Sequence, residues 1–145
     1  MIHADFVPSM DLFCRYLEIV KCSALITSSY RETTKVPGAI VVPAVKGNHL
    51  IGHAIDCNIY DSKKLLWNSS ALNQFSPEHK EYNPKLTNEV LQLINLVRRS
   101  KILRWGGDFH PDRKGNTDPV HFDDALNIRN SKRWEEIYTE IHKTK

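Results

Sequence analysis

The segment Gly47-Asn48-His49-Leu50-Ile51-Gly52-His53-Ala54-Ile55-Asp56-Cys57-Asn58-Ile59-Tyr60 sets the organisation of this chain. Residues 52–60 of it predict a β-strand, because Ile55 and Ile59 are among its apolar positions and Ile51 comes just before it. Side chains alternate between the two faces of a strand, so Asp56 is predicted to share a face with the small residues Gly52 and Ala54. The strand therefore carries a carboxylate with open space beside it.

Upstream of this segment, the pattern predicts one helix and one strand. Apolar residues recur at helical spacing from Asp11 to Cys22, with Ser9 available as the helix cap. Residues 24–30, ALITSSY, are rich in β-forming residues and predict a strand that leads to Arg31. A loop rich in proline and glycine follows, with an apolar turn at residues 40–42.

Downstream, the pattern predicts two further helices and several short strands. Asn83-Pro84 resembles a helix start, and the apolar stripe that follows ends near residues 98–101. The stripe consists of Leu86, Val90, Leu93, Ile94 and Val97. Strands are predicted at residues 66–72, 103–105 and 120–122, and Asn130 or Ser131 is predicted to cap a last helix. This order predicts an α+β fold with a mostly antiparallel central sheet flanked by helices.

Size and composition are those of a single globular domain spanning residues 1–145. The chain is 41% apolar and 26% charged, with a net charge of +3 and no stripe of basic residues, which gives little support to nucleic-acid binding. No apolar run is long enough for a membrane span, and the N-terminus lacks the features of a signal peptide. Three cysteines without a CxxC pair favour folding in a reducing cytoplasm. A monomer is expected.

Three segments concentrate residues that bind metals or transfer protons: residues 47–56, 105–109 and 118–122. A catalytic zinc ion usually takes three protein ligands and leaves one position for water. His49, Asp56 and His121 would supply such a set. Asp118 precedes His121 by three residues, so a short turn would place its carboxylate beside the metal-bound water as a general base. Arg31 would neutralise a developing oxyanion or a substrate carboxylate.

The residues His49-x-x-Gly52-x-Ala54-x-Asp56, Trp105-Gly106-Gly107-Asp108 and Asp118-x-x-His121-Phe122 resemble a family of zinc peptidases. The family contains D-alanyl-D-alanine carboxypeptidases, including those of vancomycin resistance, and L-alanyl-D-glutamate peptidases, including phage endolysins. Its fold is shared with the hedgehog signalling domain. The resemblance runs from about residue 24 to 124 and includes the pair Tyr30-Arg31.

The resemblance implies one Zn²⁺ per chain, held by His49, Asp56 and His121, with Asp118 as catalytic carboxylate and Arg31 facing the substrate. It also implies the peptidoglycan stem peptide as substrate. The Trp-Gly-Gly-Asp segment, and aspartate at the base position, look most like the L-alanyl-D-glutamate endopeptidases of phages. A serine that is common two residues before the first ligand is Gly47 here, and a glutamate that often follows His-Phe is Asp123. Both departures leave the ligands in place.

Several residues near these motifs are predicted to bind substrate or to support the ligands: Tyr30, His53, Trp105 and Asp108. Each also has an ordinary structural explanation. His53 is predicted to be a surface or cleft residue, and His110 a solvated loop residue or part of the cleft. Trp105 to Asp108 can form a tight turn with a core tryptophan, and Arg31 can form a surface ion pair. Cys57 is expected in the core rather than on a metal.

Three functions fit these observations. The first is an L-alanyl-D-glutamate endopeptidase that acts on the cell wall or periplasm after delivery or lysis, as a phage-encoded lysin does. The second is a D-alanyl-D-alanine carboxypeptidase with the same metal machinery. The third is a binding or structural module that holds zinc without hydrolysis, and Asp118 argues against it because such a module needs no base.

Overall fold

The computed structural model describes residues 1–34, 45–73, 86–109 and 117–143. The strands in this part of the chain are β1 (Ser23–Ser28), β2 (Ala54–Tyr60), β3 (Leu66–Trp67), β4 (Arg104–Trp105) and β5 (His121–Asp123). The helices are α1 (Val7–Val20), α2 (Ser69–Leu72), α3 (Asn88–Ser100), α4 (Leu126–Arg129) and α5 (Ser131–His142). Short 3₁₀ helices lie at Ala4–Phe6, Asn48–Ile51 and Gly106–Asp108. The predicted α+β class is therefore confirmed.

Strand β2 lies at the centre of a five-stranded antiparallel sheet. The order of strands is β1-β2-β5-β4, and β3 pairs with the far end of β2. Strand β1 pairs with β2 along one edge, so β5 and β3 share its other edge. In this register Asp56 lies directly across from His121, and Ala54 lies across from Asp123. Polar side chains from two strands thus meet on one face of the sheet.

The opposite face of the sheet forms the main hydrophobic core. Ile55, Cys57 and Ile59 of β2, with Phe122 of β5, pack there against helices α1 and α3. Burial of this apolar surface is the main stabilising contribution to the fold. Cys57 is fully buried in this core, as the sequence predicted.

A smaller apolar cluster attaches the loop before β2 to the last helix. Leu50 and Ile51, from the 3₁₀ helix Asn48–Ile51, pack on Trp134 and Ile137 of α5. Helix α5 begins as predicted, with the side chain of Asn130 accepting a hydrogen bond from the Arg133 backbone N–H. This packing fixes the position of the loop that carries His49.

Two predictions about the ends of α1 and β2 are wrong. Helix α1 begins at Val7, with proline in its first turn, so Ser9 lies inside the helix and does not cap it. Gly52 lies outside β2 and ends the 3₁₀ helix Asn48–Ile51 with a φ of +69°. Glycine adopts this left-handed conformation without strain, and a Cβ at Gly52 would lie 2.8 Å from the backbone nitrogen of His3.

Two further element boundaries also differ from the prediction. Only Leu66 and Trp67 of the predicted strand 66–72 pair as a strand, because Asn68 accepts a hydrogen bond from the Ala71 N–H and starts helix α2. Leu86 precedes helix α3, whose N-cap position is Thr87, although the Thr87 side chain makes no capping hydrogen bond. The predicted helix start at residues 83–84 and the apolar turn at residues 40–42 lie outside the described residues.

Helix α1 offers a test of the core. Phe13 is 1% exposed and its ring centre lies 4.7 Å from that of Phe122, whereas Ile19 on the same helix is 66% exposed. We expect Phe13→Ala to lower the free energy of unfolding by about 3–5 kcal/mol, because it leaves a cavity under the sheet. Ile19→Ala should change it little. Urea unfolding followed by circular dichroism measures both, and equal losses in the two variants would contradict this account of the core.

Candidate metal and catalytic site

Three side chains from separate parts of the chain converge above the polar face of the sheet. His49 comes from the 3₁₀ helix Asn48–Ile51, Asp56 from β2 and His121 from β5, and all three are buried. His49 Nε2 lies 3.0 Å from Asp56 Oδ1 and 3.1 Å from His121 Nδ1. His121 Nδ1 lies 3.2 Å from Asp56 Oδ1. The contact between His121 and Asp56 follows directly from the antiparallel register of β2 and β5, in which these two residues are partners.

The ring of His49 is oriented by the backbone at the end of β1. Its Nδ1 contacts the carbonyl oxygen of Ser29, and a carbonyl can only accept a hydrogen bond. Nδ1 therefore carries the proton in the neutral ring, and Nε2 presents a lone pair to Asp56 and His121. The backbone N–H of Arg31 donates to the His49 carbonyl at 3.0 Å, which ties the same two segments together.

The ring of His121 is oriented by a buried carboxylate. His121 Nε2 lies 3.0 Å from Asp123 Oδ2, so in the neutral ring Nε2 carries the proton and Nδ1 presents its lone pair to the cluster. Arg104 donates to both oxygens of Asp123, at 2.8 and 2.6 Å, and the side-chain amide of Asn48 donates to Oδ2 at 2.9 Å. Burial raises the pKa of Asp123, but its bonds to His121 and Arg104 outweigh burial and hold the pKa far below its usual range.

When both rings are neutral, three acceptors point at one another. Ligands of a tetrahedral zinc ion, bound at about 2.0–2.1 Å, lie about 3.3 Å apart, close to the separations of 3.0 to 3.2 Å found here. Burial lowers the pKa of His121, but the carboxylates of Asp123 and Asp56 raise it to about 9. In the metal-free protein this raised pKa favours a proton on His121 Nδ1, and a bound metal ion would replace that proton. His49, Asp56 and His121 fit a divalent metal ion in donor type, spacing and lone-pair direction.

Asp118 lies at the start of a tight turn that ends at His121. The N–H of His121 donates to the Asp118 carbonyl at 3.0 Å, and the N–H of Asp118 donates to the Gly106 carbonyl at 2.9 Å. The indole N–H of Trp105 donates to the carbonyl of Pro119, inside the turn, at 2.7 Å. The short turn that the sequence predicted is therefore present, and Trp105 and Gly106 hold it in place.

The carboxyl group of Asp118 is partly buried and lies close enough to the cluster to interact with it. Burial raises its pKa, and the negative charge of Asp56 raises it further. The positive charges of His121, His49 and Arg31 oppose this rise without cancelling it. Asp118 therefore holds a proton more readily than an exposed aspartate does.

Arg31 lies at the rim of the same cluster. Its Nη2 donates to Asp56 Oδ2, and its Nε donates to the Ser28 hydroxyl at 2.9 Å. The Arg31 side chain is 26% exposed, so one side of it is open to solvent. Arg31 is therefore not an isolated surface residue, because it joins the end of β1 to the ligand cluster.

Three of the other predicted site residues have contacts elsewhere. The ring centre of Tyr30 lies 6.3 Å from that of His142 on helix α5. Asp108 forms an exposed two-point ion pair with Arg98. The surface or cleft position predicted for His53 is wrong, because His53 is 1% exposed and contacts Asp124 and His3. His110 lies outside the described residues.

Sequence reasoning missed the residues that orient His121. Asp123 was noted only as a departure from a family pattern, although its spacing of two residues from His121 places both on one face of β5. Arg104 and Asn48 carried no sequence signal, because their contacts with Asp123 depend on how β4 and the loop before β2 approach β5. Gly106 is needed for close packing, since a Cβ there would lie 2.3 Å from the Asp118 carbonyl oxygen.

Comparison with known proteins adds one finding to this geometry. A family model described as D-alanyl-D-alanine carboxypeptidase matches residues 43–124, which is more than half of the chain. The matched range contains His49, Asp56, Asp118 and His121, whereas Arg31 precedes it. A search of curated proteins found no match.

The orientation of His121 can be tested with Asp123→Asn. An amide in place of the carboxylate presents either a donor or a weaker acceptor to His121 Nε2, so zinc affinity should fall about 10- to 100-fold. Competition with a chromophoric chelator measures this affinity. Glu135→Gln is the control, because Glu135 is exposed and pairs with Lys46 away from the cluster. Unchanged zinc affinity in folded Asp123→Asn protein would contradict the proposed orientation.

Proposed function

The chain belongs to the D-alanyl-D-alanine carboxypeptidase family of peptidases, and on that premise we propose that it is a zinc-dependent hydrolase of the peptidoglycan stem peptide. The bond that we propose it cuts is the one between L-alanine and D-glutamate. The support for this bond is the Trp105-Gly106-Gly107-Asp108 segment and the aspartate at position 118, which look most like the endopeptidase branch of the family. Because this substrate lies outside the cytoplasmic membrane, the protein would act after delivery or host lysis, as a phage lysin does.

One observation carries the metal part of the proposal. The lone pairs of His49 Nε2 and His121 Nδ1 and the oxygen of Asp56 face one another at 3.0 to 3.2 Å in a buried site. A positive charge is needed among them, either the proton that the raised pKa of His121 favours or a metal ion that takes its place. Two imidazoles and one carboxylate are typical ligands of catalytic zinc.

Asp118 is the residue that we propose moves the proton. When bound, zinc would polarise the scissile carbonyl and lower the pKa of a water molecule. Asp118 would accept the proton of the attacking water and later give it to the leaving amine. A partly buried carboxyl that interacts with the cluster suits this task, because it must take up a proton in the first step and release it in the second.

Arg31 would stabilise negative charge on the substrate side. Its guanidinium already lies beside Asp56, and its partial exposure leaves donors within reach of a bound peptide. A positive charge there would stabilise the oxyanion of the tetrahedral intermediate or bind a substrate carboxylate. An oxyanion forms in both candidate reactions, so the first of these roles would serve either of them.

The alternative reaction is removal of the terminal D-alanine. The description of the matching family model favours it, and the same ligands and base would serve it. A third candidate is a zinc-holding module without hydrolysis. The position of Asp118 beside the ligand cluster argues against that candidate, because a purely structural ion needs no carboxylate there beyond its ligands.

Digestion of purified peptidoglycan distinguishes these reactions. The zinc-loaded protein is incubated with isolated cell walls, and the soluble fragments are analysed by mass spectrometry. New fragments with N-terminal D-glutamate are the expected result. Loss of terminal D-alanine would show the carboxypeptidase reaction instead, and unchanged walls would overturn both.

Asp118→Asn tests the catalytic assignment in the same assay. We expect the variant to bind zinc and to lose about 10²- to 10⁴-fold in rate, because an amide cannot accept the proton. Asp11→Asn removes an exposed aspartate from helix α1 and should leave the rate unchanged. Full activity of Asp118→Asn would contradict the role of Asp118 as the base.

A further inference from the structure

We propose that His3, Asp5 and His53 form a second metal site, which would bind a divalent ion such as Zn²⁺. This site is separate from the cluster of His49, Asp56 and His121. His3 caps the 3₁₀ helix Ala4–Phe6, which contains Asp5, and His53 lies just before β2. One ligand atom from each of these three residues lies within 4.8 Å of the other two. The chain would then hold two ions rather than one.

The hydrogen bonds of the two histidines show which nitrogen of each ring carries the lone pair. His53 Nδ1 lies 2.7 Å from Asp124 Oδ2, and because a carboxylate accepts, Nδ1 carries the proton and Nε2 the lone pair. His3 Nδ1 accepts a hydrogen bond from the Asp5 N–H, so it too carries a lone pair. His53 Nε2 and His3 Nδ1 are 3.4 Å apart. His53 Nε2 thus presents a lone pair next to a second nitrogen, and that nitrogen can also bind an ion once it releases the Asp5 N–H.

The separation of these two nitrogens matches that of two ligands on one ion. Tetrahedral zinc with bonds of about 2.0–2.1 Å places neighbouring ligands about 3.3 Å apart. The bond from Asp5 N–H to His3 Nδ1 is long, at 3.2 Å, and exposed, so a metal can replace it while the N–H turns to water. Asp124 fixes the proton on His53 as carboxylates do behind metal-binding histidines.

Asp5 provides the third ligand and part of the charge. Both bonds from Arg133 go to Asp5 Oδ2, at 3.0 and 2.7 Å, whereas Oδ1 lies 3.9 Å from His3 Nδ1. The hydrogen bond from Arg133 lowers the pKa of Asp5, so the carboxylate is ionised at neutral pH. The carboxylates of Asp5 and Asp124 carry two negative charges, and the guanidinium of Arg133 carries one positive charge. The three groups together therefore have a net negative charge, which attracts a cation.

Such an ion would fasten the N-terminal segment to the loop that precedes β2. The backbone already joins them, since His3 N–H donates to the Gly52 carbonyl at 3.0 Å and the rings of His3 and His53 stack at 5.3 Å. The side chains of His3 and Asp5 are 21% and 45% exposed, so an ion can enter from solvent. Imidazole ligands favour Zn²⁺, Cu²⁺ and Ni²⁺ over Mg²⁺ and Ca²⁺.

Zinc stoichiometry tests the proposal. Tag-free protein is dialysed to equilibrium against zinc chloride at neutral pH, and bound zinc is measured by atomic absorption. We expect two ions on the natural sequence, and one on His3→Ala and on Asp5→Ala, which alter partly exposed side chains and should fold. His142→Ala is the matched control, since it removes a histidine outside both clusters, and should bind two.

The His49→Ala variant separates the two sites. It should keep the ion held by His3, whereas the double variant His3→Ala/His49→Ala should bind none. If His3→Ala and Asp5→Ala bind as many zinc ions as the natural sequence, the second site does not exist. If His49→Ala binds one ion fewer than the natural sequence, that ion belongs to the proposed hydrolase site. The ion that remains is then the one that we assign to His3, Asp5 and His53.

Discussion

The pairing of Asp56 with His121 across β2 and β5 is the constraint on which the site depends. Antiparallel partners project on the same face of a sheet, so this register alone brings a carboxylate and an imidazole together. The opposite face of the same strands carries Ile55 and Phe122 into the main core. A slip of one residue would turn the polar pair toward the apolar core and the apolar pair toward the site. Core packing therefore fixes the register, and the register fixes the site.

Ring orientation is the second requirement, and it is met by groups that take no part in the cluster itself. The Ser29 carbonyl turns Nε2 of His49 inward, and Asp123 turns Nδ1 of His121 inward. His49 therefore presents Nε2 to the cluster, whereas His121 presents Nδ1, because the hydrogen bond on the other nitrogen sets the orientation of each ring. Arg104 holds Asp123 by two hydrogen bonds, so an ion pair on β4 and β5 extends the support beyond the ligands. These contacts reduce the entropy that metal binding would otherwise cost.

Part of this structure follows from sequence patterns, and part of it does not. Strand β2 lies within the predicted strand 52–60, because the alternation of its apolar residues is local information. Gly52 was misplaced, since its left-handed conformation depends on close contact with the N-terminal segment. Local capping converted most of the predicted strand 66–72 into a helix. The burial of His53 could not be predicted, because its partners His3 and Asp124 are distant in sequence. The contact of Asp123 with His121 could not be predicted either, because the sequence does not show which way the His121 ring turns.

The central claim is that His49 Nε2, Asp56 and His121 Nδ1 bind one metal ion. Anomalous diffraction at the zinc absorption edge, from crystals grown with zinc, tests it most directly. The account predicts an anomalous peak about 2.0–2.2 Å from each of these three ligands. A peak bonded to His121 Nε2 in place of Nδ1, or no peak at this cluster in zinc-loaded crystals, would contradict it.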